Sequence, residues 1–198
     1  MDNAIQKLQG EVRGLPLAEG GNETGVPFLT AWRFTGRQIQ MPQTETPYLY
    51  LVLGGALRLY TPFGIMDYMQ GQYSLSRIDT PQRGSVLLFS GQQDFLALSV
   101  EFTVHEVITA VLALESTLTE KIVSGRMAEE QMALADRAVV QAVYSLIFAM
   151  KRTLPSEFLR KTILQQIIYY ILCGSCGKQF LQSMVRMGQA GDIYEANS

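Results

Sequence analysis

The sequence predicts an α+β fold, with an all-β first part followed by a helical second part. From about residue 26 to residue 100, short apolar or alternating runs are separated by Gly, Pro and Asp turn residues. Such runs at regular spacing are typical of a barrel or sandwich rather than of alternating βαβ units. From about residue 104 onwards, apolar residues recur at helical spacing. We therefore expect a β lobe at residues 26–102 and a helical region at residues 103–190.

The composition is that of an ordinary globular chain. It has 198 residues, of which 47% are hydrophobic and 17% are charged, and this is enough to bury a core. A formal net charge of -2 disfavours nucleic-acid binding by these residues alone. No run reaches the roughly 18 apolar residues of a membrane helix, and no basic leader with an apolar core opens the sequence. We expect a cytoplasmic protein without a membrane partner.

The first 25 residues are rich in Gly and polar side chains. A short apolar pattern at Ile5, Leu8 and Val12 predicts one or two helical turns. We expect residues 1–25 to form a peripheral arm.

The β lobe is organised around residues 46–60, TPYLYLVLGGALRLY. Two apolar runs meet at Gly54-Gly55, which predicts two adjacent strands joined by a turn. Both faces of the run from Tyr48 to Leu53 are apolar or amphipathic, so this strand should be covered on both sides. It would lie in the wall of a closed or sandwiched sheet.

Further strands are predicted on either side of this pair, each bounded by turn residues. The run from Ile65 to Tyr68 should form a hairpin with the second central strand. The complete set of additional strands is 26–34, 37–41, 65–68, 73–78, 85–89 and 95–100.

The helical region should contain helices at about 104–114, 129–151, 158–172 and 178–187, with an irregular connection at 117–126. The third of these is apolar nearly all round, so it must be covered on more than one side. A small chain has few elements with which to cover it, which favours a homodimer. The candidate interface residues are Ile163, Ile167, Tyr170 and Ile171, or neighbours on the preceding helix.

Aromatic and charged side chains within the strands are the candidate ligand-binding residues: Trp32, Tyr48, Tyr50, Arg58, Tyr60, Tyr73, Arg77 and Phe89. A charge in an apolar strand must face solvent or meet an anionic partner. Period-two geometry places Tyr48 and Tyr50 on one face of their strand, and Arg58 and Tyr60 on one face of the next. The alternative is an aromatic core with outward polar residues, since small barrels are usually filled by their own side chains.

The sequence contains no catalytic or metal-binding pattern. His105 is the only histidine, and it opens a helix without a partner for acid-base chemistry. Cys173 and Cys176 form a C-x-x-C motif at a helix C-terminus, where the helix dipole raises a thiol pKa and so disfavours redox chemistry. A zinc site is disfavoured because it needs about four ligands. We expect the cysteines to be structural rather than redox-active or metal-binding, and we expect no cofactor.

Four segments together resemble the N-terminal domain of AraC-type transcriptional regulators: PYLYLVLGGALRLY, YMQGQYSLSRIDTP, FLALSVEF and QQIIYYILCGSCGKQFLQSM. The resemblance extends from about Leu29 to the end of the sequence. Gln165-Gln166 stands where the family commonly has Arg-Glu, and Arg77 stands where a small polar residue is more usual.

This resemblance implies a cupin-like small β-barrel that binds an effector, helices that mediate dimerisation, and a following domain with two helix-turn-helix units. No such unit is visible here, so residues 191–198 are expected to begin a linker to it, and DNA would be contacted only through that domain. One alternative is a ligand-free dimerisation and protein-interaction scaffold. A cupin-type enzyme is a further alternative, which the lack of clustered histidines disfavours.

Overall fold

The computed structural model describes residues 2–36, 38–40, 46–61, 64–75, 83–87, 94–125, 135–150 and 157–196. It confirms the predicted α+β class. The helices are α1 (Asp2–Arg13), α2 (Val104–Leu112), α3 (Ser116–Ser124), α4 (Arg137–Met150), α5 (Glu157–Cys173) and α6 (Gly177–Ala196). The strands are β1 (Gly20–Glu23), β2 (Leu29–Phe34), β3 (Gln38–Gln40), β4 (Tyr48–Gly54), β5 (Ala56–Thr61), β6 (Gly64–Met69), β7 (Tyr73–Leu75), β8 (Arg83–Leu87) and β9 (Phe95–Glu101).

The strands form two antiparallel sheets that face each other. One has the order β1-β2-β9-β4-β7 and the other the order β3-β8-β5-β6, and the described strands show no hydrogen-bonded closure into a barrel. Both sheets contribute to one apolar layer, which we call the inter-sheet cluster. Its buried members are Tyr48, Tyr50, Val52, Leu57, Leu59, Tyr68, Val86, Phe95 and Ala97, and Trp32, Phe34 and Met66 pack against them half-buried.

The two central strands are present, but the predicted pairing between them is wrong. β4 pairs with β9 and β7 in one sheet, whereas β5 pairs with β6 and β8 in the other. Gly55 between them has a φ of +80°, a conformation that residues with a side chain rarely adopt. The glycine pair therefore marks the corner where the chain passes from one sheet to the other.

Burial of β4 on both faces is confirmed. Tyr48, Tyr50 and Val52 point into the inter-sheet cluster. The alternate residues, Leu49 and Leu51, point the other way into a larger core shared with the helices, because successive side chains of a strand alternate between faces.

The first residues are not a peripheral arm, contrary to the prediction. α1 has 12 residues, and Ile5, Leu8 and Val12 are buried in the core against α4 and β4. The spacing of these three residues places them on one face of a helix, and that face covers the sheet. β1 follows in the same stretch as an edge strand of the five-stranded sheet.

α5 is covered by its own chain. Ile163, Ile167 and Ile171 are 7%, 0% and 2% exposed, and the helix contacts α2, α4 and α6. Tyr170 packs half-buried against the same core. The prediction of Ile163, Ile167 and Ile171 as dimer-interface residues is therefore wrong, because three helices of the same chain bury these side chains.

Two further segments differ from the sequence expectation. The stretch predicted as an irregular connection contains α3, with Ile122 buried on its inner side. The backbone of α6 continues as helix to Ala196, so the described part of residues 191–198 is helical rather than a linker. The glycines in this stretch do not prevent a helix, because a single glycine lowers helix stability by only about 1 kcal/mol and good helix formers around it can offset that loss.

α2 begins with a complete capping box. The Thr103 hydroxyl accepts from the Glu106 backbone N–H at 3.1 Å, and the Glu106 carboxylate accepts from the Thr103 backbone N–H at 2.7 Å. This pair fixes the point where the β lobe passes into the helical region. No helix in the described ranges is both long and apolar enough to span a bilayer.

Candidate functional site

The candidate site is the inter-sheet cluster, where aromatic rings form a continuous row across the five-stranded sheet. The ring of Trp32 lies 6.1 Å from that of Phe34 and 6.1 Å from that of Tyr50, measured between centroids. The row continues from Phe34 to Phe95 at 6.4 Å and from Tyr50 to Tyr48 at 6.5 Å. It therefore runs from half-buried rings on β2 to fully buried rings on β4 and β9.

Trp32 is held flat across the sheet. Its indole N–H donates to the Ser99 hydroxyl at 2.8 Å. A Cβ added at Gly21 would meet the indole ring at 2.9 Å, so a larger residue there would have to shift the ring. Gly21 is the cross-strand partner of Trp32. The indole thus has a fixed orientation, with its only donor already in use.

The hydroxyl of Tyr50 is buried and has no hydrogen-bond partner among the described residues. Tyr50 is 1% exposed and lies opposite Ser99 in the sheet. Most buried polar groups in proteins find a partner, so an unpaired phenol is a specific feature of this layer. It provides one O–H donor that is already desolvated.

Burial keeps both tyrosines of β4 neutral. Desolvation raises the pKa of Tyr48 to about 12, and the negative charge of Glu101 contributes in the same direction. Desolvation also raises the pKa of Tyr50 well above its usual value, with a smaller contribution from Tyr48. Near neutral pH the two residues are protonated phenols.

Arg58 and Tyr60 are not in the inter-sheet cluster. Their side chains lie on the outer face of β5, because Leu57 and Leu59 occupy its inner face. The Arg58 guanidinium donates to both Asp67 carboxylate oxygens at 2.7 Å, and this bond raises its pKa. Tyr60 is 44% exposed. The prediction that both could line the interior is wrong, since the arginine has its anionic partner on the surface.

Tyr73, another candidate, is separated from this site. Tyr73 is buried in the core on the helical side of the sheet, where desolvation raises its pKa and Asp136 and Cys176 add smaller effects. Arg77 and Phe89 lie outside the described residues. Of the eight candidates, the structure brings together Trp32, Tyr48 and Tyr50.

Sequence reasoning missed two residues of the site. Ser99 is a polar residue inside the apolar strand FLALSVE, and that position was a usable signal because a buried hydroxyl needs a partner. Gly21 carried no such signal. Its role depends on the register between β1 and β2, which the residue type alone does not determine.

A buried carboxylate lies outside the inter-sheet cluster and joins α1 to the sheet. Asp94 accepts from Arg13 at 2.8 Å and from Arg33 at 3.0 Å, with its side chain 8% exposed. The pair of guanidinium groups satisfies both carboxylate oxygens. This arrangement holds the end of α1 against β2 and the start of β9.

Among the described residues, no group of three or more His, Cys, Asp and Glu side chains is placed to bind a metal ion. Cys173 is exposed and Cys176 is half-buried. The described site therefore offers aromatic surface and hydrogen-bond donors.

Three solved structures illustrate what the chain is similar to. ToxT from Vibrio cholerae has a TM-score of 0.51 and 6% identity over 73% of this chain and 54% of that one. The AraC-like transcriptional activator CuxR has a TM-score of 0.46 and 12% identity over 75% and 53% of the two chains. A cupin domain from Bordetella pertussis has a TM-score of 0.29 and 18% identity over 43% and 95%.

The chain spans about half the length of ToxT and CuxR. Of these three similarities, the one to ToxT reaches the level of a shared fold. No curated protein sequence matches the chain significantly.

The family model for the AraC-type transcriptional regulator N-terminus matches residues 25–179. This range includes β2 to α5, and with them the whole inter-sheet cluster and most of the helical layer. Since the match extends over most of its residues, the chain belongs to the family of AraC-type transcriptional regulator N-terminal domains.

Proposed function

We propose that this chain is the effector-binding and dimerisation domain of an AraC-type transcriptional regulator, and that a small molecule binds in the inter-sheet cluster. The observation that carries the proposal is the buried hydroxyl of Tyr50, which has no hydrogen-bond partner among the described residues and lies within a row of aromatic rings. A bound molecule with an acceptor would satisfy that donor. DNA would be bound by a helix-turn-helix domain outside residues 1–198.

The two faces of β4 suggest how binding would reach the helices. Tyr48 and Tyr50 lie on the effector side, whereas Leu49 and Leu51 pack in the core that includes α1, α4 and α5. A displacement of this strand by a ligand would therefore alter packing on the helical side. An effector acts only through a difference in affinity between two arrangements of the protein.

The dimer surface we propose lies on the outside of α2 and α5, which contact each other. Leu112 and Ile108 on α2 are 80% and 39% exposed, and Tyr169 on α5 is 40% exposed. Exposed apolar side chains on adjacent helices are typical of protein interaction sites. A second copy of the chain would cover them.

The second candidate function is a ligand-free dimerisation scaffold. It is favoured by the degree to which the chain fills its own layer, since Tyr48, Tyr50 and Phe95 are between 0% and 6% exposed. The third class, a cupin-type enzyme, is not supported by the family, which consists of transcription regulators.

A thermal-shift screen of small metabolites separates the first two functions. A ligand that binds only the folded chain raises its melting temperature, by mass action. The effector hypothesis predicts at least one such compound, whose effect is reduced in a Gly21→Ala variant because the new methyl group displaces the Trp32 ring. Gly36→Ala is the control, since a Cβ there meets nothing within 4 Å. A broad screen without a stabilising compound would favour the scaffold.

A further inference from the structure

We propose that the inter-sheet cluster selects a flat, uncharged aromatic molecule that carries a hydrogen-bond acceptor beside its ring. This inference rests on the proposed function, because it names the chemical class of the effector for the same site. Three observations support it: the flat orientation of Trp32, the unpaired hydroxyl of Tyr50, and the lack of charge among the described members of the cluster.

The rings of β2 provide a surface for stacking. Trp32 and Phe34 are half-buried and lie within 16° of parallel. Gly21 below the indole and Ser99 at its N–H fix its orientation. Planar aromatic ligands gain from offset stacking on such rings. A polyhydroxylated ligand would instead leave several hydroxyl groups against apolar side chains, which is unfavourable.

The hydroxyl of Tyr50 specifies an acceptor on the ligand. The indole N–H of Trp32 already donates to Ser99, so it is not available to a ligand. The O–H of Tyr50 has no partner in the described part of the chain, and its ring lies 6.1 Å from that of Trp32. We expect a carbonyl or ether oxygen attached to a ring that stacks on Trp32 to reach this phenol. Burial holds this phenol in its protonated, donating form.

The electrostatic surroundings formed by the described residues disfavour an anion. Within the described residues, the inter-sheet cluster contains only uncharged side chains. Glu101 is the cross-strand partner of Tyr48 at one end of the aromatic row, so the nearest charge identified there is negative. Arg58 faces outwards and is engaged by Asp67. A carboxylate ligand would be desolvated without a cationic partner, which is costly.

Three probes of similar shape test this class: acetophenone, which is neutral with an acceptor; ethylbenzene, which lacks the acceptor; and benzoate, which is charged. Isothermal titration calorimetry on the chain gives each dissociation constant. We expect acetophenone to bind most tightly and benzoate most weakly. Tyr50→Phe should weaken acetophenone binding about three- to tenfold, the effect of one neutral hydrogen bond, and should leave ethylbenzene unchanged.

Tyr60→Phe is the matched control, because it removes the same hydroxyl from the outer face. Unchanged melting temperatures would show that both variants fold. The proposed class is overturned if benzoate binds as tightly as acetophenone, if Tyr50→Phe leaves acetophenone binding unchanged, or if none of the probes binds. The proposed effector site would still be supported if, despite one of these results, a metabolite stabilised the chain and changed the fluorescence emission of Trp32. If the metabolite screen also finds no stabilising compound, the proposed effector site itself is refuted.

Discussion

Tyr48 and Tyr50 make the stability of the fold sensitive to pH in the alkaline range. Burial raises the pKa of Tyr48 from 10.0 to about 12, and that of Tyr50 is raised as well. The unfolded chain loses these protons from about pH 10, whereas the folded chain retains them. The stabilising contribution is therefore complete below pH 10 and is lost as the pH rises towards 12.

We predict that the free energy of unfolding falls by about 1 kcal/mol per pH unit for each such tyrosine above pH 10. Urea unfolding at a series of alkaline pH values measures this slope. Tyr48→Phe should reduce the slope, because it removes one of the two buried phenols. Equal slopes for the wild type and Tyr48→Phe would contradict the assignment.

Asp94 is predicted to be the most important ion-paired carboxylate of the β lobe. Asp94→Asn should lower the free energy of unfolding by about 1–3 kcal/mol, because the buried oxygens lose charge-assisted bonds from Arg13 and Arg33. Asp67→Asn is the matched control. Its carboxylate is 40% exposed and its pair with Arg58 faces solvent, so the melting temperature should hardly change. A larger loss for Asp67→Asn would refute this ranking.

At the level of elements, the turn between α5 and α6 depends on Gly177. A Cβ at this position would collide with the backbone carbonyl oxygen of Leu172. Backbone atoms within a helix end cannot move away as a flexible side chain can. Gly177→Ala should therefore destabilise the chain by more than about 2 kcal/mol, in the upper range for single substitutions.

Gly10→Ala provides the opposite control. A Cβ there meets nothing within 4 Å, and alanine is the better helix former by about 1 kcal/mol. This variant should raise the melting temperature, while Gly177→Ala lowers it, as measured by circular dichroism. Similar effects of the two substitutions would show that the turn is less constrained than the geometry indicates.

Most of the strands and helices could be predicted from periodicity, but their partners could not. The apolar or amphipathic residues on both faces of β4 correctly indicated a strand buried on both sides. The residues around Gly54-Gly55 gave no information on whether β4 and β5 share a sheet, because hydrogen-bond pairing depends on distant strands such as β8 and β9. Long-range pairing of this kind decides which aromatic residues meet.

The same limit explains the errors for α5 and Arg58. The sequence suggested a second subunit over Ile163 and its neighbours, because sequence patterns do not show that α2, α4 and α6 all pack around α5. Arg58 looked as if it needed an anionic ligand, because its partner Asp67 lies on another strand. By contrast, Trp32, Tyr48 and Tyr50 could be identified because aromatic residues on one strand face usually share one layer.

At the level of the whole molecule, we predict a homodimer formed through the outer faces of α2 and α5. Light scattering at micromolar concentration should give twice the 22.1 kDa chain mass. Leu112→Glu should give the monomer, because a charge replaces an 80% exposed leucine at the proposed surface. Val123→Glu, which changes a 53% exposed valine on α3, should remain dimeric. A monomeric wild type would refute the proposed dimer.

The central claim is that an effector binds between the two sheets, and Trp32 reports on that site directly because it is the only tryptophan in the sequence. The most direct measurement is Trp32 fluorescence during titration with any compound that raises the melting temperature. We predict a saturable change in the intensity or wavelength of emission, with the same midpoint as binding measured by calorimetry. A compound that stabilises the chain and saturates in calorimetry, yet leaves Trp32 emission unchanged, would contradict it.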